Sequence, residues 1–169
     1  MENQKDWEKL LRQARISSKR EKTYVDDDDS IISTKPIYTD FVVDCVATVL
    51  LGWPNCAMLH YFWERKNRDT IPPRIYLPPV VEELASKSID SITAVVIGGH
   101  KGHFRSVKYH LGKLGIPIVA SYLDGLYPLK SGDKHIPDNA KELLVIPLEQ
   151  RVIMSSERDG YLQLFPKLI

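Results

Sequence analysis

The sequence predicts an α/β domain of three layers, in which helices cover both faces of a Rossmann-like, mostly parallel sheet. Three observations lead to this fold class. The run Ile92 to Ile97 is continuously apolar and rich in β-branched residues, which is typical of a strand buried on both faces. A glycine-rich loop, an amphipathic helix and a second apolar run follow it up to Gly125, in the order of a parallel crossover unit. A further strand-to-helix step is visible over residues 74–88.

The bulk composition is that of one globular domain. The chain has 169 residues, of which 43% are hydrophobic and 27% are charged. Its 23 basic and 22 acidic residues leave no overall charge bias of the kind that marks nucleic-acid binding proteins, so we do not expect a nucleic-acid partner. The most apolar stretch, Val42 to Leu51, is too short to cross a bilayer, and residues 1–20 do not form a signal peptide. We therefore expect a cytoplasmic protein without a membrane segment, whose Cys45 and Cys56 are reduced, buried and inert.

Residues 1–35 are predicted to form a helix and a charged linker arm, followed by a single α/β domain over residues 36–169. A helix over Asp6 to Arg15 would carry one apolar face, through which the chain could bind a protein partner or a second copy of itself. That face consists of Trp7, Leu10, Leu11 and Ala14. The linker, Ser17 to Lys35, contains the acidic run Asp26 to Asp29, which we expect to be solvated and not to bind a metal.

The segments before the crossover unit are expected to alternate between strands and helices. Phe41 to Leu51 favours a buried strand, with a helix as the alternative, and a turn over residues 52–55 follows it. After Asn55, apolar residues at helical spacing predict a short helix with a cationic end, whose aromatic residues belong to the core. Arg74 to Leu77 is predicted to be a short strand, and Val80 to Ser88 a helix.

The remaining elements complete the expected fold. A helix begins near His103 and ends at Gly115, and Ile116 to Leu123 forms the next strand. A further strand is predicted over Glu142 to Leu148. A C-terminal β-hairpin is predicted from Arg151 to Ser155 and from Tyr161 to Phe165.

The loop Gly98 to His103 is the predicted functional site. It follows a strand of the expected parallel sheet and leads into a helix N-terminus, where free backbone amides and the helix dipole attract anions. Gly98, Gly99 and Gly102 would let the backbone approach a phosphate closely. Lys101 and Arg105 would add charged hydrogen bonds. The alternative is that these glycines only make a tight connection between strand and helix.

Titratable side chains flank this loop. His100 is a candidate general acid or base, oriented by Asp124 at the end of the neighbouring strand. Two other interpretations stay open: His100, His103 and Asp124 could bind a divalent metal, or both histidines could cap the helix or bind a phosphate. The lone histidines are expected to be structural or exposed; they are His60, His110 and His135.

One fragment of the chain resembles a known family. The segment ITAVVIGGHKGHFRSVKYHLGKLGIPIVA is similar to the strand, GG-x-x-G loop, helix and strand of LOG-like (SLOG) Rossmannoid nucleotide-binding domains. The resemblance implies that Gly98, Gly99 and Gly102 contact a phosphate. In LOG enzymes a threonine and a catalytic acid follow the loop, whereas residues 103–105 here are His-Phe-Arg, so the resemblance does not extend to their hydrolytic chemistry.

The sequence thus predicts a cytoplasmic protein that binds a nucleotide or a similar phosphorylated ligand through a glycine-rich loop, and that hydrolyses or senses it. It identifies no cofactor. The alternative is an interaction or accessory protein of the immunity type, without catalytic activity.

Overall fold

The computed structural model describes residues 4–123 and 140–166, which form two β-sheets and three α-helices. The helices are α1 (Gln4–Glu21), α2 (Pro73–Lys87) and α3 (Lys101–Lys113). The strands are β1 (Asp29–Ser33), β2 (Ile37–Val42), β3 (Val46–Leu51), β4 (Cys56–Tyr61), β5 (Thr93–Gly98), β6 (Ile118–Leu123), β7 (Lys141–Ile146), β8 (Arg151–Ser156) and β9 (Gly160–Phe165). A short 3₁₀ helix, Pro147–Glu149, joins β7 to β8.

The two sheets are mostly antiparallel. The larger has the strand order β1-β4-β3-β5-β6, and of its pairs only β5 and β6 are parallel. The smaller has the order β2-β7-β8-β9 and is antiparallel throughout. The prediction of a three-layer, Rossmann-like, mostly parallel sheet is therefore wrong. It fails because β3 and β4 form a hairpin that inserts between β1 and β5, whereas the sequence pattern indicated a helix in place of β4.

The elements stack in four layers, α/β/β/α, with an apolar core at each interface. Helices α2 and α3 cover one face of the larger sheet, where Leu77 and Leu111 are buried. The other face packs against the smaller sheet through residues such as Val95 and Val145. Helix α1 covers the outer face of the smaller sheet with Trp7. Strand β5 is buried on both sides, as the sequence predicts, although its sheet is not the predicted one.

Three further local predictions differ from the structure. Phe41 to Leu51 is divided between β2 and β3, which belong to different sheets. The segment after Asn55 is β4, whose two faces are both buried, so its apolar residues show no strand-like alternation. The predicted strand Arg74 to Leu77 lies inside α2, which begins with a proline at its first position.

The N-terminal region also differs from the prediction. Helix α1 continues to Glu21, beyond the predicted end at Arg15. The segment predicted to be a linker includes β1, an edge strand in which Asp29 pairs with His60 of β4. The acidic run is thereby held against the end of β4.

The crossover unit and the terminal hairpin are confirmed. Strand β5, helix α3 and parallel strand β6 follow one another as predicted, and Gly115 has a positive φ of 71° just after the helix. Strands β8 and β9 form the predicted hairpin. None of the helices in the described part of the chain is long and apolar enough to cross a membrane.

Candidate functional site

Several titratable side chains and the glycine-rich loop lie at one end of the central strands of the larger sheet, which is called the edge of the sheet below. Because β3 is antiparallel to both β4 and β5, its first residue, Val46, lies opposite Tyr61 and Gly98. The glycine-rich loop after β5, the end of β4 and the turn before β3 therefore meet at the same edge. The Gly99 amide donates a hydrogen bond to the Cys45 carbonyl over 3.3 Å, which joins the loop to that turn.

Two of the loop glycines are required by close packing within the chain. A Cβ atom on Gly99 would lie 1.5 Å from the Val43 carbonyl oxygen, and one on Gly98 would lie 2.9 Å from Cδ2 of Phe104. At Gly102 the nearest atom would be Cε1 of His100, at 3.2 Å. The close approach at Gly98 and Gly99 is thus to the protein's own backbone and side chains.

The two loop histidines have structural partners. His100 is the N-cap of α3, and its Nδ1 accepts a hydrogen bond from the His103 amide over 3.1 Å. His103 is fully buried, with its Nε2 2.7 Å from the Tyr76 hydroxyl of α2. Burial, and to a smaller degree the neighbouring His100, lower the pKa of His103 to about 3. His103 therefore stays neutral and belongs to the core.

The other predicted site residues are more open, or lie outside the described part of the chain. Lys101 is half-buried, whereas Gly102 and Arg105 are exposed on the first turns of α3. Asp124 lies outside the described residues, as does His135. Of the trio proposed from the sequence, the structure brings together His100 and His103, and it gives both of them capping or packing roles.

A different set of side chains converges beside the loop. The acceptor atoms of Asp27, Cys45 and His60 all lie within 4.8 Å of one another. Asp27 precedes β1, Cys45 precedes β3, and His60 lies near the end of β4. Burial increases along the set: the Asp27 side chain is exposed, Cys45 is half-buried and His60 is buried. The cluster is therefore reached from solvent at Asp27 and ends at the imidazole.

The protonation of the His60 ring is set by Thr39 of β2. The Thr39 hydroxyl donates its only proton to the Val25 carbonyl oxygen over 2.7 Å. It lies 2.8 Å from His60 Nδ1, and having no second proton it must accept there. Nδ1 therefore carries the hydrogen of the neutral ring, and Nε2 carries the lone pair.

The His60 lone pair faces the cluster. Its Nε2 is buried and, among the described residues, has no hydrogen-bond partner. Oδ1 of Asp27 lies 3.3 Å from it. With the tautomer set by Thr39, these two atoms are both acceptors. The arrangement can thus receive a proton or bind a cation.

The charge states at rest follow from burial. Burial lowers the pKa of His60, against the opposing effect of nearby carboxylates, of which Asp27 contributes most. Burial raises the pKa of Cys45 to about 12, and Asp27 adds to this, while Lys141 opposes it. At neutral pH the site therefore holds a neutral thiol and a neutral imidazole.

A depression of 270 Å³ lies along β2 and β7 of the smaller sheet. Its lining includes Asp40, exposed Phe41 and the buried Lys141, which lies opposite Val42 in the strand pairing. Arg15 of α1 forms an ion pair with Asp40 over 3.3 Å at its border. The lining of this depression does not include Cys45 or His60.

Comparison with known proteins assigns no family. No protein-family model matches the chain, and a search of the curated proteins finds no match either. The interpretation of the site therefore depends on its geometry.

This cluster was not predicted from the sequence. The sequence indicated that Cys45 is buried and inert, that His60 is structural or exposed, and that the acidic run is solvated. No spacing rule connects Thr39, Cys45 and His60. Thr39 lies within β2, Cys45 precedes β3 and His60 lies near the end of β4, and Thr39 reaches His60 only when the two sheets pack. Cys45 lies inside the predicted strand Phe41 to Leu51, and His60 lies inside the predicted helix after Asn55, so the sequence offered no signal that joins them.

Proposed function

We propose that the protein is a cysteine-dependent acyl-transfer enzyme that hydrolyses an amide or ester. Cys45 is the nucleophile, His60 the general base, and Thr39 the positioning residue that orients His60. The observation that carries this proposal is the hydrogen bond from His60 Nδ1 to Thr39, since it leaves the Nε2 lone pair on the side of Asp27, in the cluster to which Cys45 belongs.

The chemistry follows from these roles. His60 Nε2 removes the thiol proton as the Cys45 sulfur attacks the substrate carbonyl carbon. The tetrahedral intermediate collapses to a thioester, and the leaving amine or alcohol takes the proton from His60. His60 then removes a proton from water, which attacks the thioester, and the thiol recovers that proton when the carboxylic acid leaves. Every proton transfer uses His60 Nε2, which is consistent with an imidazole ring that Thr39 holds through Nδ1.

The test is an acylation experiment with p-nitrophenyl acetate on the full chain. We expect an acetyl adduct on Cys45, detected by mass spectrometry, and nitrophenolate release that falls by about 100-fold or more in Cys45→Ala and His60→Gln. Cys56→Ala is the matched control, because Cys56 is fully buried and donates to the Gly52 carbonyl oxygen. Undiminished release by Cys45→Ala, or an adduct found only elsewhere, would overturn the proposal.

Binding of a nucleotide or another phosphorylated ligand at the glycine-rich loop stays a prediction. The features that favour it are half-buried Lys101 and exposed Arg105 at the start of α3, beside the Cys45 turn. Arg105→Ala tests it better than a Gly99 variant, because a side chain at Gly99 would collide with the Val43 carbonyl oxygen. Loss of nucleotide-induced thermal stabilisation in Arg105→Ala would support the prediction, and a panel of nucleotides that never shifts the wild-type melting temperature would contradict it.

For the alternative role as an interaction protein, the position of α1 limits which surface of this helix a partner could contact. Its predicted docking face, including Trp7 and Leu11, is buried on the chain's own smaller sheet. A partner would therefore contact the outer, polar face of α1. A cytoplasmic location also stays a prediction; it suits a protein whose cysteines are both free and whose proposed chemistry needs a reduced thiol.

A further inference from the structure

A second chemistry is available to the cluster at the sheet edge, because its three acceptors can enclose a cation. Cysteine sulfur, imidazole nitrogen and carboxylate oxygen are the ligand types that bind Zn²⁺ in proteins. Here they come from three separate segments, and their ligand atoms lie within 4.8 Å of one another. The acidic run alone would be weak support for a metal, since exposed carboxylates commonly repel and stay solvated.

The independent observation is the buried His60 Nε2. It has no hydrogen-bond partner among the described residues, it carries the lone pair, and it faces an Asp27 oxygen 3.3 Å away. Two acceptors in contact repel unless a proton or a cation lies between them. The hydrogen bond from Nδ1 to Thr39 is the kind of outer contact that orients metal-binding histidines in known sites.

The dimensions fit zinc after a small closure. Zinc bonds of about 2.0 to 2.3 Å in a tetrahedral arrangement place neighbouring ligand atoms roughly 3.3 to 3.8 Å apart. His60 is held by Thr39, whereas Asp27 precedes β1 and its side chain is 75% exposed, so Asp27 is the ligand that can move inward. Three protein ligands would leave one coordination position open to solvent.

We propose that Asp27, Cys45 and His60 form a Zn²⁺ site, and that zinc bound there blocks the reactive thiol. On binding, the Cys45 sulfur forms a bond to zinc and releases its proton to solvent, while the His60 lone pair is occupied by the metal. The thiol can then neither attack a carbonyl nor pass its proton to His60. The blocking effect rests on the proposed role of Cys45 as nucleophile, whereas zinc binding itself does not.

The first test measures binding without any reaction. Metal-free full-length protein is titrated with Zn²⁺ against a chromophoric zinc indicator, and with Co²⁺, whose thiolate charge-transfer band reports a metal–sulfur bond. We expect one zinc per chain and a cobalt–thiolate band, both lost in Cys45→Ala. Asp27→Asn is expected to weaken zinc binding by more than about tenfold, since even loss of an outer partner costs that much. Asp26→Asn, which removes a neighbouring exposed carboxylate outside the cluster, is the matched control and should bind like wild type.

The second test compares the alkylation of Cys45 by iodoacetamide in wild-type protein with and without equimolar Zn²⁺, and protection by zinc is expected. The zinc proposal is overturned if wild type binds zinc no more tightly than Cys45→Ala, or if Asp27→Asn and Asp26→Asn bind equally well. Zinc binding that leaves alkylation unchanged would overturn the blocking effect. Failure of the acetylation experiment on metal-free protein would instead contradict the enzymatic proposal, so the two failures are distinguishable.

Discussion

Replacing Thr39 by valine removes one hydroxyl from the centre of the site with little change in shape. That hydroxyl makes two buried hydrogen bonds, to the Val25 carbonyl over 2.7 Å and to His60 Nδ1 over 2.8 Å. Each bond contributes about 1 kcal/mol net, and the buried groups left without a partner add a desolvation penalty of about 1 kcal/mol or more. We therefore expect Thr39→Val to lower the free energy of unfolding by about 2 to 4 kcal/mol.

The same substitution at Thr48 of β3 provides the matched control. Thr48 is also fully buried, but its hydroxyl has no hydrogen-bond partner in the described part of the chain. Burying an unpaired hydroxyl is unfavourable, so Thr48→Val is expected to raise stability by about 1 kcal/mol. The pair separates the effect of the hydrogen bonds from that of exchanging threonine for valine in a core.

The measurement is urea unfolding of the wild type, Thr39→Val and Thr48→Val, followed by tryptophan fluorescence. The slope of the unfolding free energy against urea concentration should be the same for all three proteins. Acetylation by p-nitrophenyl acetate is measured on the folded variants, where Thr39→Val is expected to slow nitrophenolate release by at least about tenfold through misorientation of His60. Equal stability changes for Thr39→Val and Thr48→Val would refute the hydrogen-bond assignment. Unchanged release by Thr39→Val would refute the positioning role.

Three further predictions concern residues outside the reacting groups. Gly99→Ala should lower the free energy of unfolding in urea by about 3 kcal/mol or more, because its Cβ would lie 1.5 Å from the Val43 carbonyl oxygen. Gly112→Ala is the control: it has open space around it and should raise the free energy of unfolding by about 0.5 kcal/mol. Equal stability of the two variants would contradict the packing role of Gly99. The pKa of His103 is lowered to about 3 in the folded chain, so between about pH 6.5 and pH 3 only the unfolded chain binds a proton at this residue. The free energy of unfolding should therefore fall as the pH is lowered through this range, by up to about 1.4 kcal/mol per pH unit more in the wild type than in His103→Gln. Parallel pH profiles of unfolding free energy would exclude this. Phe41 has a positive φ of 54°, a conformation that asparagine tolerates better than phenylalanine, and its side chain is 71% exposed. Phe41→Asn should therefore raise the melting temperature and the free energy of unfolding, the latter by about 0.5 kcal/mol. Destabilisation would show that the phenylalanine ring makes stabilising contacts with the protein.

Local sequence patterns were sufficient to predict the elements whose structure depends mainly on their own residues. The apolar run of β5, the amphipathic face of α3 and Gly115 after it agree with one another, so this unit was predictable. The same approach failed for β4, because a strand buried on both faces has no alternation, and its apolar residues also fall at helical spacing. The acidic run likewise looked like a linker, since an edge strand such as β1 needs few apolar residues.

The glycine-rich loop shows why residue type alone does not define a site. The sequence explained Gly98 and Gly99 by the approach of a phosphate, whereas in the structure the approaching groups are Phe104 and the Val43 carbonyl. Both interpretations require a residue without a side chain. Only the position of the neighbouring turn distinguishes them.

By itself the sequence determined the β5–α3–β6 unit and the terminal hairpin, because these depend on contacts between neighbouring segments. The tertiary structure decided which residues meet at the edge of the larger sheet. Thr39 belongs to one sheet and His60 to the other, and Cys45 lies in the turn before β3, so their contact exists only when the sheets pack. Hydrogen bonds and lone pairs have a direction, which no one-dimensional pattern records. For that reason, a cysteine and a histidine that the sequence left unremarkable became the reactive pair that we propose.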